Sequence, residues 1–191
     1  RDEALRGLSG ARRVFQRTGK GRRVQHTLQR RLHPQLTTVA EKAYDTVKRR
    51  IPSAEGVSWS ILFSSAGCPV QPAHTDYTPG ALGGVQRRHT PLVCLVALTG
   101  GTRFHVWPRA FAGHPLEAPV SSETIVLGNG DILLFRGDLV HAGAAYTEPN
   151  ARLHGFIDTG CVVHEPDRRF QIDLHADPAF AAHILPIDVC E

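Results

Sequence analysis

The stretch GDILLFRGDLVHAG, from Gly130 to Gly143, decides the fold that this sequence predicts. In residues 131–135 one Asp is followed by four apolar residues, the turn letters RGD come next, and a second short apolar run leads to His141. Apolar runs of this length, bounded by Gly and Asp, are typical of β-strands joined by tight turns. The stretch therefore predicts two consecutive strands, with His141 at the end of the second.

The same pattern continues on both sides of this stretch. Upstream, residues 123–127 and the turn Gly128-Asn129-Gly130 complete a hairpin with the first of the two strands. Further strands are expected at Val57–Ser64, Pro91–Leu98, Thr102–Trp107, Ala151–Val163 and Phe170–Leu174, with a turn at Gly100-Gly101 and a helical turn at Pro178–Ala182. Roughly eight strands in one chain favour a double-stranded β-helix, that is, a jelly roll or cupin-like barrel.

The first fifty residues have a different pattern. Residues 34–50 place apolar side chains three and four positions apart and end in three basic residues, which is typical of an amphipathic helix. Pro52 ends that helix. Residues 1–32 are polar and interrupted by glycines, and we expect short helices or partial disorder there. We therefore expect a basic helical N-terminal segment over 1–52 that supports a mainly β domain over 53–191, within one globular unit.

Charge is distributed unevenly along the chain. Residues 1–50 hold 14 Lys and Arg against 4 Asp and Glu, whereas the remaining residues hold 8 against 14. A basic run of this kind binds nucleic-acid phosphates in some proteins. In others it is a solvated helix face, or a tail that neutralises an acidic domain. Phe15 is the only Phe, Tyr or Trp within the basic run over 12–31, so the sequence favours the solvated surface and leaves a nucleic-acid partner as the alternative.

Composition limits the class of protein further. A chain of 191 residues is long enough for one domain with a hydrophobic core. No apolar run approaches the roughly 18 residues of a membrane-spanning helix, so we expect no membrane partner. The four cysteines form no CxxC, so we expect reduced, buried thiols rather than a zinc site or a disulfide scaffold. The absence of Met predicts a trimmed or processed piece, with a cytoplasmic or nuclear location slightly favoured.

Three residues have the types and spacing of an open metal site. His74 and Asp76 are two positions apart, and on an extended strand such residues point to the same face. His141 lies 65 residues later, at the end of a predicted strand. Two histidines and one carboxylate with open positions form the ligand set of non-haem Fe(II) oxygenases. A surface His–Asp hydrogen bond and a core histidine remain the alternatives.

Arg152 follows His141 by eleven residues on the predicted strand that begins at Ala151. If one hairpin joins the two strands, Arg152 lies beside the metal and faces inward, and His154 faces the same pocket. The planar guanidinium of an arginine matches a carboxylate in two hydrogen bonds, which suits a dicarboxylate cosubstrate. A salt-bridged surface arginine is the alternative, and Arg103 or Arg136 could take this role.

Four segments, taken in order, resemble the Fe(II)/2-oxoglutarate dioxygenase superfamily, and the layout is most similar to its prolyl-hydroxylase-like branch. They are QPAHTDY (Gln71–Tyr77), PLVCLVALTGGTRFHVWP (Pro91–Pro108), GDILLFRGDLVHAG (Gly130–Gly143) and NARLHGFID (Asn150–Asp158). Together they span roughly residues 57–163. The resemblance implies a double-stranded β-helix core with supporting N-terminal helices. It also implies Fe(II) held by His74, Asp76 and His141, 2-oxoglutarate held by Arg152, and dioxygen as the oxidant.

The sequence departs from that family in one respect. Many prolyl hydroxylases carry a Tyr on the strand before the Gly-Gly turn, where it helps to hold the cosubstrate. Residues 93–99 contain no Tyr, so Thr99 or a serine of Ser58–Ser65 is expected to substitute. Further pocket candidates are His105 and Trp107, which share a strand face, together with Tyr77, Thr99 and His154.

The resemblance implies hydroxylation of a C–H bond, and a protein or peptide side chain is the first substrate class that we expect. Hydroxylation or oxidative demethylation of nucleic acid is the second, because of the basic N-terminal residues. A metal enzyme that does not use 2-oxoglutarate is a further alternative, although the HxH pair of many cupins is absent. A non-catalytic cupin-like binding module is the last.

Overall fold

Two antiparallel sheets carry most of the chain in the computed structural model. The structure describes residues 12–13, 22–78, 80–82, 85–112, 120–160, 162 and 170–171. In chain order the elements are β1 (Arg12–Arg13), β2 (Arg23–Thr27), α1 (Pro34–Arg50), β3 (Ala54–Ser64), β4 (His74–Thr75), a 3-10 turn (Arg87–His89), β5 (Leu92–Ala97), β6 (Thr102–Phe111), β7 (Glu123–Leu127), β8 (Ile132–Arg136), β9 (Leu139–Gly143), β10 (Asn150–Thr159) and β11 (Phe170–Gln171).

The larger sheet has the order β1-β2-β3-β10-β5-β8, and the smaller sheet has the order β11-β4-β9-β6-β7. Several neighbouring strands are far apart in sequence: β10 pairs with both β3 and β5, and β4 pairs with β9. Both sheets contribute side chains to one apolar layer between them. Its buried members are Tyr77, Val93, Leu95, Ala97, Phe104, Val106, Leu127, Phe135, Phe156 and Val162.

A second apolar layer lies on the other face of the larger sheet, beneath α1. The helix buries Ala40, Ala43 and Val47, whose spacing of three and four residues places them on one side. They pack with Ile61 and Leu153 among the outward-facing residues of the sheet. Basic residues occupy the last helical turn, where they interact favourably with the helix dipole.

The double-stranded β-helix expected from the sequence is confirmed. The helix over 34–50 and the strand over 123–127 have the predicted bounds, and the other predicted strands are present with shifted ends. β6 continues to Phe111 and β10 ends at Thr159. β11 is described at Phe170–Gln171, and the remaining residues of that predicted strand, 172–174, lie outside the described residues. The predicted helical turn over 178–182 lies outside the described residues.

The prediction of short helices or disorder over residues 1–32 was wrong at 23–27, which form β2. This strand pairs antiparallel with β3, from Arg23 opposite Ser64 to Thr27 opposite Ser60. Pairing with a distant strand decides this conformation, and local polarity carries no signal of it. Within the described residues, the N-terminal part of the chain contributes one α-helix, and no helix there has the length and apolarity needed to cross a bilayer.

Candidate metal centre

His74 and His141 lie directly opposite each other on the neighbouring strands β4 and β9. Their ring centroids are 4.4 Å apart. Asp76 follows β4 immediately, and its backbone N–H donates to the carbonyl of Gly137 at the turn before β9. One ligand atom from each of the three residues lies within 4.8 Å of the others, and all three side chains are buried. These residues form a group that could hold a metal ion.

Backbone carbonyls set the orientation of both imidazole rings. Nδ1 of His74 lies 2.8 Å from the carbonyl oxygen of Pro72, and Nδ1 of His141 lies 2.8 Å from that of Leu139. A carbonyl can only accept, so each Nδ1 carries the proton and donates. This leaves the Nε2 lone pair of each ring available to a metal, the arrangement typical of metal-bound histidines.

Asp76 is a buried carboxylate that faces two histidines. Its Oδ2 lies 3.2 Å from Nε2 of His154 and 3.4 Å from Nε2 of His141. Both approaches are ion-pair contacts, and this buried oxygen has no assigned hydrogen-bond donor among the described residues. Burial alone raises the pKa of Asp76, but the facing His154 and His141 outweigh it and hold the pKa well below its ordinary value. The residue is therefore an anionic donor.

This donor set fits a divalent transition metal. A divalent transition metal binds deprotonated ligand atoms. Here an ionised carboxylate oxygen without a hydrogen-bond donor lies beside two imidazoles whose Nε2 lone pairs are available. Three protein ligands leave coordination positions open, whereas structural zinc sites are closed by four. The arrangement therefore suits a metal that exchanges small ligands.

Arg152 lies on the wall of the same cavity, although only 2% of its surface is exposed. Its Nη1 donates to Ser64 Oγ at 3.3 Å and to Asn150 Oδ1 at 3.2 Å. Arg152 and Ser64 come from adjacent strands of the larger sheet, and Asn150 precedes Arg152 by two residues on β10. The guanidinium is therefore held in one orientation on the inner face of the sheet.

The cavity joins the metal group to Arg152 and is otherwise partly apolar. It is lined by Leu62, Gln71, His74, Asp76, Leu95, Phe104, His141, Arg152 and His154. Phe104 stacks on the ring of His141, with centroids 4.9 Å apart. The enclosed cavity is small, with a volume of about 10 Å³. That is room for roughly one water molecule, so a larger ligand enters only if wall side chains move.

Of the other pocket candidates, His154 lines the cavity and Tyr77, Thr99, His105 and Trp107 do not. Tyr77 donates to Asp158 and lies in the inner apolar layer, where burial and then Asp158 raise its pKa. The Nδ1 of His105 contacts the hydroxyl of Thr124, and Trp107 is fully buried.

Thr99 and the two alternative arginines also have defined positions. Thr99 accepts a hydrogen bond from Nδ2 of Asn150. Oδ1 of Asn150 in turn accepts from Arg152, so Thr99 contacts the cavity wall only indirectly, through Asn150. Arg136 is committed to Asp138, at 3.0 and 2.5 Å. Arg103 donates to the carbonyl of Ala145. Both arginines lie outside the cavity wall.

Sequence reasoning did not single out two polar residues at the cavity. Gln71 lines it and accepts a hydrogen bond from the backbone N–H of Gly143, two residues after His141. Asn150 orients Arg152. Both residues fall inside the quoted segments. Gln71 lies three positions before His74 and Asn150 two positions before Arg152, and this closeness in sequence was the signal that could have identified them. Ser64 belongs to the serine-containing strand from which a partner of Arg152 was expected.

Comparison with known proteins supports the fold. No protein-family model matches the sequence, and no curated protein matches it by sequence. The structure is similar to that of a prolyl-4-hydroxylase from Pseudomonas putida, with a TM-score of 0.53 and 10% identity over 82% of this chain and 80% of that one. At this identity the likeness establishes the fold alone.

Two further structures have TM-scores below 0.5. A variant of the Bacillus subtilis oxalate decarboxylase has a TM-score of 0.44 and 15% identity over 78% of this chain. A structure of DMSP lyases has a TM-score of 0.47 and 12% identity over 85% of this chain. The present chain spans 28% of the decarboxylase chain and 61% of the lyase chain.

Proposed function

We propose that the protein is an Fe(II)- and 2-oxoglutarate-dependent dioxygenase that hydroxylates a C–H bond. One observation carries the proposal: a buried, oriented arginine lines the same cavity as an open group of two histidines and one carboxylate. The three-residue group alone suits several metals and several reactions. The buried guanidinium presents hydrogen-bond donors whose planar arrangement matches a carboxylate, and the remote carboxylate of a 2-oxo dicarboxylate is such an acceptor.

In this proposal His74, Asp76 and His141 hold the iron, and Arg152 holds the carboxylate of 2-oxoglutarate that is remote from the metal. Ser64 and Asn150 keep the guanidinium pointed into the cavity. When bound, iron with 2-oxoglutarate and dioxygen supplies the oxidation that introduces a hydroxyl group, with succinate and carbon dioxide as coproducts.

The other wall residues exclude water and hold the ligands in position. Leu62, Leu95 and Phe104 form an apolar surface beside the metal group, which keeps bulk water from a reactive centre. The carbonyls of Pro72 and Leu139 keep Nε2 of each imidazole aimed at the metal before it binds, which lowers the cost of assembling the site. We expect the wall to open when 2-oxoglutarate enters, because the cavity is narrower than that molecule.

A protein or peptide side chain remains the first substrate class, on the strength of the prolyl-hydroxylase-like order of segments. Nucleic acid is the second, because residues 1–50 carry a large excess of positive charge. Replacing Arg12, Arg13 and Arg17 with Gln lowers that charge without removing β2 from the sheet. Salt-sensitive oligonucleotide binding by the wild type that this variant loses would favour nucleic acid. Equal, weak binding at low salt would favour the peptide.

The test is anaerobic addition of Fe(II) and 2-oxoglutarate to metal-free protein. Iron chelated by a 2-oxo acid has a visible charge-transfer band, which reports metal and cosubstrate together. We expect a band in the wild type, none in His141→Ala, and a band that requires much more 2-oxoglutarate in Arg152→Lys. The exposed Arg103→Lys is the matched control and should behave as the wild type.

The negative result is equally informative. No band in folded, iron-loaded wild-type protein would contradict the proposal. The remaining interpretations would then be a metal enzyme that does not use 2-oxoglutarate or a cupin-like binding module without catalysis. Turnover without any 2-oxo acid would identify the first of these two.

A further inference from the structure

A second buried arginine, Arg23, connects β2 to both segments that carry the metal group. Only 4% of its surface is exposed. Its Nη2 donates to the carbonyls of Pro69, at 3.1 Å, and Ala144, at 2.9 Å. Pro69 lies on the segment that leads to His74, and Ala144 directly follows β9, which carries His141. One guanidinium nitrogen therefore spans the two chain segments that form the site.

The other terminal nitrogen of Arg23 has no such role. Nη1 is buried and has no hydrogen-bond partner among the described residues. The hydrogen-bond partners of Nη2 are neutral carbonyls, which do not balance the charge. A buried cationic donor left unsatisfied is costly, so its retention indicates a partner of opposite charge.

The surroundings of Gly143 locate this nitrogen on the cavity side. Gly143 is two residues after His141 on β9, so a side chain there would point to the same face as His141. A Cβ at Gly143 would lie 2.3 Å from Nη1 of Arg23 and 2.3 Å from Oε1 of Gln71. Gln71 itself lines the cavity. Nη1 therefore occupies the inner face of the barrel next to a wall residue, in space that the missing side chain leaves.

Arg23 and Arg152 both lie near the ring of Tyr146, Arg152 on the cavity wall and Arg23 next to the wall residue Gln71. The guanidinium carbons lie 5.9 Å and 5.6 Å, respectively, from the ring centre of Tyr146. Ser64 is the β3 residue opposite Arg23, and it also accepts the hydrogen bond from Arg152. The Tyr146 ring is itself fixed, because its hydroxyl donates to the carbonyl of Arg103.

We propose that Arg23 is the second cation of the cosubstrate site, so that two arginines rather than one hold the remote carboxylate of 2-oxoglutarate. This inference rests on the proposed function and adds a specificity determinant to it. Two guanidinium groups near the Tyr146 ring select a dicarboxylate over a 2-oxo acid that has only the metal-binding carboxylate. The N-terminal strand β2 is then part of the binding site as well as of the sheet.

The experiment compares 2-oxoglutarate with pyruvate, which chelates a metal through the same two groups but has no remote carboxylate. Dissociation constants are measured anaerobically from the charge-transfer band in wild type, Arg23→Gln and Arg22→Gln. We expect Arg23→Gln to weaken 2-oxoglutarate binding about tenfold or more, as for loss of a charged hydrogen bond. Any loss of Fe(II) affinity caused by the missing contacts to Pro69 and Ala144 should weaken both 2-oxo acids equally, so the ratio of the pyruvate and 2-oxoglutarate dissociation constants is the readout. Arg22→Gln, which removes an exposed neighbouring charge, should match the wild type.

The outcomes separate this inference from the proposed function. Equal weakening of both 2-oxo acids, or no change for either, would overturn the role of Arg23 while leaving the dioxygenase proposal intact. A wild-type protein that binds iron but neither 2-oxo acid would overturn both proposals.

A second variant keeps the inference testable if Arg23→Gln does not fold. In Arg152→Gln, 2-oxoglutarate is compared with 2-oxoglutaramate, in which an uncharged amide replaces the remote carboxylate. If Arg23 is a second cation, this variant still prefers the dicarboxylate. If Arg152 alone holds the remote carboxylate, the preference disappears and the inference fails.

Discussion

The two faces of the larger sheet differ sharply, although alternate residues of the same strands form them. On β10, Arg152 and His154 point inward to the cavity, whereas Leu153 and Ile157 point outward and pack beneath α1. The inner face carries charged and polar groups close to the metal group. The outer face is a continuous apolar layer. One strand therefore supplies both binding groups and packing groups through its two-residue period.

This difference indicates how stability and function are separated in the molecule. Burying a guanidinium or a carboxylate costs free energy unless a partner compensates it, so under the proposed function the ligands would offset part of that cost on the inner face. Burying the outer side chains is favourable without any ligand. We therefore expect changes on the inner face to affect binding and changes on the outer face to affect folding.

The largest effect is expected from His141→Ala on the inner face. The variant removes one of the three proposed metal ligands. We expect iron affinity to fall by more than roughly 100-fold, which is the loss typical of removing a group that only orients a ligand. Hydroxylation should become undetectable. Because the ring fills buried space beside Phe104, thermal unfolding is measured in parallel. Retention of wild-type iron affinity in a folded variant would remove His141 from the metal site.

Leu153→Ala is the matched change on the outer face. Leu153 is fully buried in the layer beneath α1, one residue from Arg152. Truncating a buried leucine costs about 2–5 kcal/mol of unfolding free energy, and we expect this loss in urea titrations. The folded fraction should bind iron and 2-oxoglutarate as the wild type does. A large change in either affinity at unchanged stability would contradict the separation of the two faces.

Much of this division was predictable from the sequence, because it depends on short-range patterns. Apolar runs between turn residues predicted β5, β8 and β9. The hairpin expected between the strands of His141 and Arg152 was wrong, because β9 and β10 lie in different sheets, although Arg152 does line the cavity. Residues two apart on a strand share a face whatever the rest of the chain does. The grouping of His74, Asp76 and His141 was expected on the same basis, with β4 pairing directly to β9.

The contribution of the N-terminal residues was not predictable in this way. β2 exists because it pairs with β3, and a run of Arg and polar residues shows no such pairing. Arg23 therefore could not be distinguished from its exposed neighbour Arg22. The same long-range pairing buries His26, which belongs to no sequence pattern that would have singled it out.

His26 is a buried polar residue on the otherwise apolar outer face of the larger sheet, and its burial predicts that the free energy of unfolding depends on pH. It lies on β2 opposite Ile61, it is 4% exposed, and neither ring nitrogen has a hydrogen-bond partner among the described residues. Burial, and then the nearby His33, lower its pKa below 6.5. Below that pH the unfolded chain binds a proton that the folded protein resists, so stability falls as pH falls.

We expect His26→Leu to flatten that dependence in the metal-free protein. One proton changes the slope of unfolding free energy by at most about 1.4 kcal/mol per pH unit. Unfolding free energies at pH 7.5 and 5.5 in the wild type and the variant measure it. Identical slopes would mean that His26 is protonated as easily in the folded state as in the unfolded one.

The smallest effect is expected at Cys94, which lies on β5 within the apolar layer beneath α1. Its side chain is fully buried, and burial raises the pKa of the thiol to about 12. Because only the thiolate is nucleophilic, about one molecule in ten thousand is reactive at pH 8, and that one is shielded. We expect no alkylation of Cys94 by iodoacetamide in native protein and complete alkylation in urea, located by peptide mass spectrometry.

In Leu153→Ala, labelling should accelerate in proportion to the lost stability, because access requires the layer to open. Fast labelling of the native wild type would show that the outer face opens independently of global unfolding, and the two faces would then differ in composition but not in rigidity.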